Sequence, residues 1–254
     1  MERHFHCTAC GKCCNGWLPL SLDDALAHAG RFPLAMVLTT LRQGARAYDV
    51  TAHHGTVMAL GKRKHIAVQI SPTSYLPSSL SCPALMQDGR CAIHTDKPAR
   101  CRTMPFSPYR EERDQASLLV PKNGWLCDTS RDAPVVYRDK AIVERGDFDI
   151  EQQQLVDQSV ILREYADGLI SSAPNVAAGL ESASRKSGGG YVVLNFTTLL
   201  PRLTHIDKAD FARQQLPVLA DFANQTQDNL QLADYHQYYR DNAKGLERFL
   251  EGRS

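Results

Sequence analysis

The chain has 254 residues, of which 43% are hydrophobic and 22% are charged, and its formal net charge is +1. This composition is ordinary for a soluble globular protein with one large or two small domains. The near-zero net charge provides no strong global field that would select a polyanion, so nucleic acid is not an expected partner.

The sequence predicts a cytoplasmic protein without a membrane span. No apolar run approaches the roughly 20 residues that a span requires, and residues 1–7 lack the apolar stretch of a signal peptide. Because thiols stay reduced in the cytoplasm, the eight cysteines indicate metal binding rather than disulfides.

The first predicted elements are a loop and two helices. Residues 5–17 are rich in Cys and Gly and are predicted to form a metal-binding loop. Ser21 is predicted to cap a short helix that ends near His28. A second helix is predicted over Pro33–Arg42 because its apolar residues recur at helical spacing. These residues are Leu34, Val37, Leu38 and Leu41.

The middle of the chain is predicted to be extended and then irregular. Residues 46–70 are predicted to be extended, with a β-hairpin formed by residues 56–60 and 65–70 around a basic turn. Residues 71–125 are rich in Pro, Ser and Gly, and propensity alone would not order them. Metal cross-links would provide the missing stabilisation.

The second half of the chain contains no cysteine and is predicted to be mainly helical. Helices are predicted over residues 151–170, 174–184, 207–224 and 230–250, and a short strand over residues 191–194. A proline inside the third of these helices predicts a kink or a boundary there.

Together these elements predict an α+β fold with two parts. Residues 1–135 form an irregular, Cys-rich, metal-stabilised N-terminal domain, and residues 136–254 form a mainly helical C-terminal region. No internal repeat is present.

All eight cysteines are candidate metal ligands, and no catalytic residue is assigned. The first four form a C-x-x-C-x-x-C-C run, and the other four are spread between residues 82 and 127. The candidate ligands are Cys7, Cys10, Cys13, Cys14, Cys82, Cys91, Cys101 and Cys127. Thiolates are the soft ligands that zinc and iron–sulfur clusters select, and two residues between cysteines allow both sulfurs to reach one centre.

The spacing leaves the metal and the number of sites open. Three cysteines at two-residue intervals with a distant fourth ligand are typical of a [4Fe–4S] cluster, whereas zinc ligands usually come as separated pairs. Cys7, Cys10 and Cys13 could surround one cluster while Cys14 joins the downstream cysteines at a second site. Zinc at one or both positions is equally compatible with the residues.

Charged and imidazole side chains near the cysteines are predicted to act around the metal rather than to bind it. Basic residues within five positions of a cysteine could offset the negative charge of the thiolates. Among them are Lys12, Arg90, Lys97, Arg100, Arg102 and Lys122. His4, His6 and His94 are interpreted as neighbours of the ligands, since eight thiols are available.

Three segments resemble the YkgJ family of cysteine-cluster proteins, which is also described as a zinc- or iron-chelating domain. They are Phe5–Cys14, Cys82–His94 and Lys97–Phe106. The chain departs from the family pattern at His94, Lys97 and Met104, where Tyr, Arg and Phe are usual. The resemblance covers about residues 5–127 and implies metal or iron–sulfur binding without a settled reaction.

The run Cys14–Trp17 also looks similar to flagellin lysine-N-methylases, which are thought to combine an iron–sulfur cluster with S-adenosylmethionine. Two hypotheses follow. The first is a metal-binding protein with a redox role and an unidentified protein or redox partner. The alternative is a methyltransferase that acts on a protein lysine.

Overall fold

The structure is a computed structural model that describes residues 2–251. Within that range the strands are β1 (Glu2–His4), β2 (Leu18–Pro19), β3 (Leu34–Arg42), β4 (Thr56–Ala59), β5 (His65–Ser74), β6 (Val135–Arg138), β7 (Ala141–Ile142) and β8 (Tyr191–Asn195). The α-helices are α1 (Leu22–Ala27), α2 (Tyr48–His54), α3 (Ala99–Thr103), α4 (Gly146–Ser172), α5 (Pro174–Ser184), α6 (Lys208–Thr226) and α7 (Ala233–Leu250).

An antiparallel sheet of five strands forms the centre of the fold. Its order is β2-β5-β3-β8, and β4 also pairs with β5. Leu38 in β3 lies opposite Ile70 on one side and Val192 on the other. The main core packs around this sheet and includes buried side chains of α4, α6 and α7.

The prediction of a helix over Pro33–Arg42 is wrong. Leu34–Arg42 forms the central strand β3 instead. Leu34 to Leu38 are all buried, with exposed fractions of 4% or less. A strand that is covered on both faces carries a continuous apolar run, and such a run also contains pairs at helical spacing. Pairing with β5 and β8 therefore decides the structure of this segment.

The extended structure predicted for residues 46–70 is correct for the hairpin and wrong for its first part. β4 and β5 pair antiparallel as predicted. Tyr48–His54 is instead the helix α2, which ends where the Gly55 N–H donates to the Thr51 carbonyl at 2.8 Å. Thr51 is fully buried, so packing holds a helix that has no side-chain N-cap.

The predicted helices of the C-terminal half are confirmed, and α5 has the predicted bounds. α6 continues through Pro217, so no helix boundary lies there. Residues 230–232 form a 3₁₀ turn, and α7 begins at Ala233. The short helix α1 is also confirmed, and the Ser21 hydroxyl accepts the N–H of Asp24 at 3.0 Å.

A second, smaller sheet lies at the start of the Cys-rich region. It has the order β1-β6-β7 and packs on a separate apolar cluster that includes Phe106, Tyr137 and Phe148. The predicted α+β class, with a Cys-rich N-terminal region and a helical C-terminal half, is confirmed. The domain division at residue 135 stays a prediction. Within residues 2–251, no helix is long and apolar enough to cross a bilayer.

Candidate metal centre

The cysteine loop turns sharply because two of its residues adopt positive φ angles beside the thiols. Ala9 has a φ of 54° and Gly11 a φ of 68°. The Cys14 N–H donates to the Gly11 carbonyl at 3.0 Å and closes this turn. A Cβ atom at position 11 would also lie 3.0 Å from a methyl group of Leu85. Glycine therefore meets both a conformational and a steric requirement here.

A backbone bridge brings the last cysteine to the first. The His6 N–H donates to the Asp128 carbonyl at 2.8 Å, and the Asp128 N–H returns a bond to His6 at 3.0 Å. Each of these residues is next to a cysteine, so Cys127 lies beside Cys7. The Thr8 hydroxyl adds a bond of 3.0 Å to the Leu126 carbonyl.

The electrostatic neighbours of Cys127 define a first group of thiols. Burial raises the pKa of Cys127, and the charges of Cys10, Cys7 and Cys13 raise it further. Cys10 has a lowered pKa because the backbone N–H groups of Lys12 and then Leu126 donate to its sulfur. We call this set the first thiol group: Cys7, Cys10, Cys13 and Cys127.

The other cysteines converge on Cys14 from three separate segments. The Cys82 N–H donates to the Cys14 carbonyl at 2.8 Å, next to a bridge between Asn15 and Ser81. A bridge between Leu85 and Cys91 folds the following loop back. Cys101 is carried by α3.

The contributions to the pKa of Cys101 also indicate that Cys82 and Cys91 lie near it. Burial raises this pKa to about 12, and the charges of Cys82, Cys91 and Cys13 contribute in the same direction, while Arg100 opposes them. The pKa of Cys14 is lowered by its hydrogen bond with Cys13, and the charges of Cys82, Cys101 and Cys91 oppose that shift. We call this set the second thiol group: Cys14, Cys82, Cys91 and Cys101.

The adjacent pair Cys13 and Cys14 joins the two groups. A hydrogen bond between the two thiols is the main reason that the pKa of Cys13 is raised and that of Cys14 is lowered. Cys13 interacts with Cys127 in the first group and with Cys101 in the second.

The cysteines are free thiols, and none is fully buried. Among residues 2–251, no three or more Cys, His, Asp or Glu side chains are arranged so that they could hold a metal ion as they stand. The assignment of the eight ligands therefore stays a prediction.

Residues 6–127 match the model of the CxxCxxCC family, which is described as "Putative zinc- or iron-chelating domain". The resemblance to a cysteine-cluster family is thus confirmed. Comparisons with curated proteins and with solved structures give no match. All eight cysteines lie in the matched segment, so the family supports metal chelation by this part of the chain.

Three cations of the CxxCxxCC domain act on the thiols. A hydrogen bond from Cys14 raises the pKa of Cys13, and burial raises those of Cys101 and Cys82. The charges of Lys97, Arg100 and Arg31, respectively, oppose these rises without cancelling them. The first two were predicted from the sequence. Arg31 was missed because it is distant in sequence from every cysteine.

The other predicted cations have different contacts. Arg90 pairs with Asp88 at 3.7 Å, and Arg102 pairs with Asp147 at 3.1 Å. The Lys122 ammonium lies 5.4 Å from the ring centre of Trp125. Lys12 acts through its backbone N–H, as described above.

The three histidines near cysteines have different surroundings. The His4 Nδ1 lies 2.7 Å from the Ala133 carbonyl oxygen. Beside His6, hydrogen bonds from Ser130 lower the pKa of Asp128, and the charge of His6 makes a smaller contribution. His94 begins an exposed 3₁₀ turn. With the histidines in these surroundings, the thiols are the main candidate metal ligands of the domain.

The helix that carries Cys101 is fixed to the rest of the fold by a buried ion pair. Arg100 of α3 lies 3.3 Å from Glu151 of α4, and their side chains are 11% and 7% exposed. The Thr103 hydroxyl also donates to Glu151. At the other end of α3, the Ala99 N–H donates to the Asp24 carboxylate at 2.9 Å.

Proposed function

We propose that this is a metal-binding protein with two centres of four thiolates each. The observation that carries the proposal is the pair of backbone contacts, between His6 and Asp128 and between Cys14 and Cys82, that bring downstream cysteines to the two ends of the C-x-x-C-x-x-C-C run. The first centre would use Cys7, Cys10, Cys13 and Cys127. The second would use Cys14, Cys82, Cys91 and Cys101.

The donor set fits a soft metal. Sulfur ligands select zinc and iron–sulfur clusters over hard cations, and four thiolates complete either kind of site. Bound metal would also cross-link the cysteine-bearing segments, which are held together by isolated β-bridges.

Of the two metals that the family description names, we propose iron, as [4Fe–4S] clusters. The support is the spacing of Cys7, Cys10 and Cys13 with Cys127 as a distant fourth ligand. A cluster would supply one-electron transfer, and the proposal includes a protein redox partner in a cytoplasm that keeps thiols reduced. Lys97, Arg100 and Arg31 would offset the negative charge of the thiolates.

Methyl transfer from S-adenosylmethionine was the alternative hypothesis from the sequence. The family match supports metal chelation and provides no support for this reaction. We therefore do not propose it.

The test is anaerobic purification followed by analysis of iron, zinc and acid-labile sulfide and a visible spectrum. We expect iron and sulfide in equal amounts and a broad absorption that dithionite bleaches. Colourless protein with stoichiometric zinc would refute the iron–sulfur assignment and keep metal binding. Protein that takes up neither metal would refute the proposal.

A cysteine variant and a matched control assign the effect to the thiols. Cys10→Ser is expected to lower the metal content of the first centre, because serine is a poor ligand for soft metals. Thr129→Ala changes an exposed residue close to Cys127 and should leave the metal content unchanged. Equal metal content in wild type and Cys10→Ser would contradict the first centre.

A further inference from the structure

A cavity of about 200 Å³ lies between α1, β5, α3 and α4, and its lining includes Arg100, which precedes Cys101 on α3. Its polar lining includes Asp24, Gln69, Arg100, Ser107, Tyr109 and Glu151, and its apolar lining includes Leu20, Ala99 and Leu155. An engineered apolar protein cavity of roughly 150 Å³ holds benzene, so this space accepts a molecule of about six to ten non-hydrogen atoms. The metal-binding proposal makes no use of it.

One wall of the cavity contains a buried donor that lacks an acceptor. The Arg100 guanidinium pairs with Glu151 and donates a second bond to the Phe106 carbonyl. Its Nε is buried and has no hydrogen-bond partner among the described residues. An unsatisfied buried donor destabilises a protein, so a ligand oxygen that accepts this bond would be favoured here.

Other residues of the lining supply hydroxyl and amide groups. The Gln69 amide donates to the Ser71 hydroxyl at 3.0 Å, and Ser71 also forms a hydrogen bond with the Tyr109 hydroxyl. These bonds hold the Gln69 and Tyr109 side chains in place at the cavity. A few fixed polar groups among apolar side chains in a partly open cavity are typical of ligand sites.

The ionised residues of the lining carry an excess of negative charge. Asp24 and Glu151 are carboxylates, and Arg100 is the one Lys or Arg that lines the described cavity. A ligand that carries both an ammonium group and a carboxylate would complement both the excess of acidic side chains and the unpartnered Arg100 donor. Its ammonium would offset the excess negative charge, and its carboxylate would accept from the guanidinium.

We propose that this cavity binds a small zwitterion of the size of an α-amino acid. The carboxylate would be bound at Arg100, and the ammonium group at Asp24 and Glu151. Gln69 and Tyr109 would contact the ligand between these ends. The site goes beyond the proposed metal binding and would place a small molecule next to the helix that carries Cys101.

The test is isothermal titration of the purified protein, with its metal content measured in the same sample, against amino acids from glycine to leucine. A zwitterion is expected to bind at least about tenfold more tightly than the matching amine or carboxylic acid alone. Binding by no amino acid, or equal binding by the singly charged analogues, would overturn the proposal. Wild-type metal content in the same sample separates this failure from failure of the metal centres.

Two variants locate the binding in the cavity. Leu155→Phe adds volume to a residue that lines it and leaves every charge in place, so binding should be lost. Tyr109→Phe removes one hydroxyl and should weaken binding in a protein that keeps its packing. Val160→Ala, on the exposed face of α4, is the control. Wild-type affinity in both cavity variants would contradict the site.

Discussion

Removing the carboxylate of Glu151 is expected to destabilise the fold and to loosen the helix that carries Cys101. Arg100 and Glu151 lie 3.3 Å apart, and their side chains are 11% and 7% exposed. At that distance two unit charges attract by about 5 kcal/mol for an effective dielectric constant of about 20. Glu151→Ala leaves a buried guanidinium without its partner, for which a loss of about 3–5 kcal/mol is typical.

The assay is urea-induced unfolding followed by circular dichroism, with the metal content measured on the same samples. Glu151→Gln is the matched control, since its amide oxygen still accepts from Thr103 and Arg100. It should lose less stability than Glu151→Ala. A loss below about 1 kcal/mol for Glu151→Ala, the value of an exposed pair, would refute this reasoning.

The same pair predicts a pH dependence with a definite sign. Burial raises the pKa of Glu151, although Arg100 and Thr103 oppose the shift. The unfolded chain therefore releases this proton at a lower pH than the folded protein does, and rising pH stabilises the unfolded chain first. From about pH 4 upward, wild type should lose stability relative to Glu151→Gln, which does not titrate. A relative gain of wild type over this range would contradict the shift.

Three further substitutions test the packing by urea unfolding. Tyr239→Phe removes a buried hydroxyl that donates to the Tyr75 carbonyl at 2.8 Å, and a loss of about 1–2 kcal/mol is expected; no loss would mean that water replaces the bond. Ser21→Ala removes the N-cap of α1 and should cost about 1 kcal/mol, whereas an unchanged midpoint would contradict the cap. Gly55→Ala would place a Cβ 2.1 Å from a carbonyl oxygen of β5 and should cost about 1–3 kcal/mol or more. Gly146→Ala meets no atom within 4 Å and is its control; equal stability of these two variants would refute the close approach.

The sequence predicts local elements better than it predicts pairing. Pro174 begins α5 and the serine cap begins α1, because both signals are carried by residues at the helix end. The strand β3 has leucines at helical spacing, and its structure depends on β5 and β8, which lie far along the chain. The periodicity of one segment does not indicate which distant strands will pair with it.

The same limit applies to the candidate site. Cysteine spacing identifies all eight thiols as candidate ligands, but it does not assign Cys127 to either group. That assignment depends on the backbone bridge between His6 and Asp128, which forms only in the folded protein. Arg31 reaches Cys82 only through the fold. The cavity near Arg100 is assembled from four elements, so no local motif could have predicted it.

The central claim is that the cysteines serve two separate centres, and metal analysis of two double variants tests it most directly. One variant combines Cys7→Ser with Cys10→Ser, and the other combines Cys82→Ser with Cys101→Ser. Each should keep about half of the wild-type metal, because each leaves one set of four thiolates intact. Loss of all metal in both variants would contradict two independent centres, and full metal content in either would show that its thiols are not ligands.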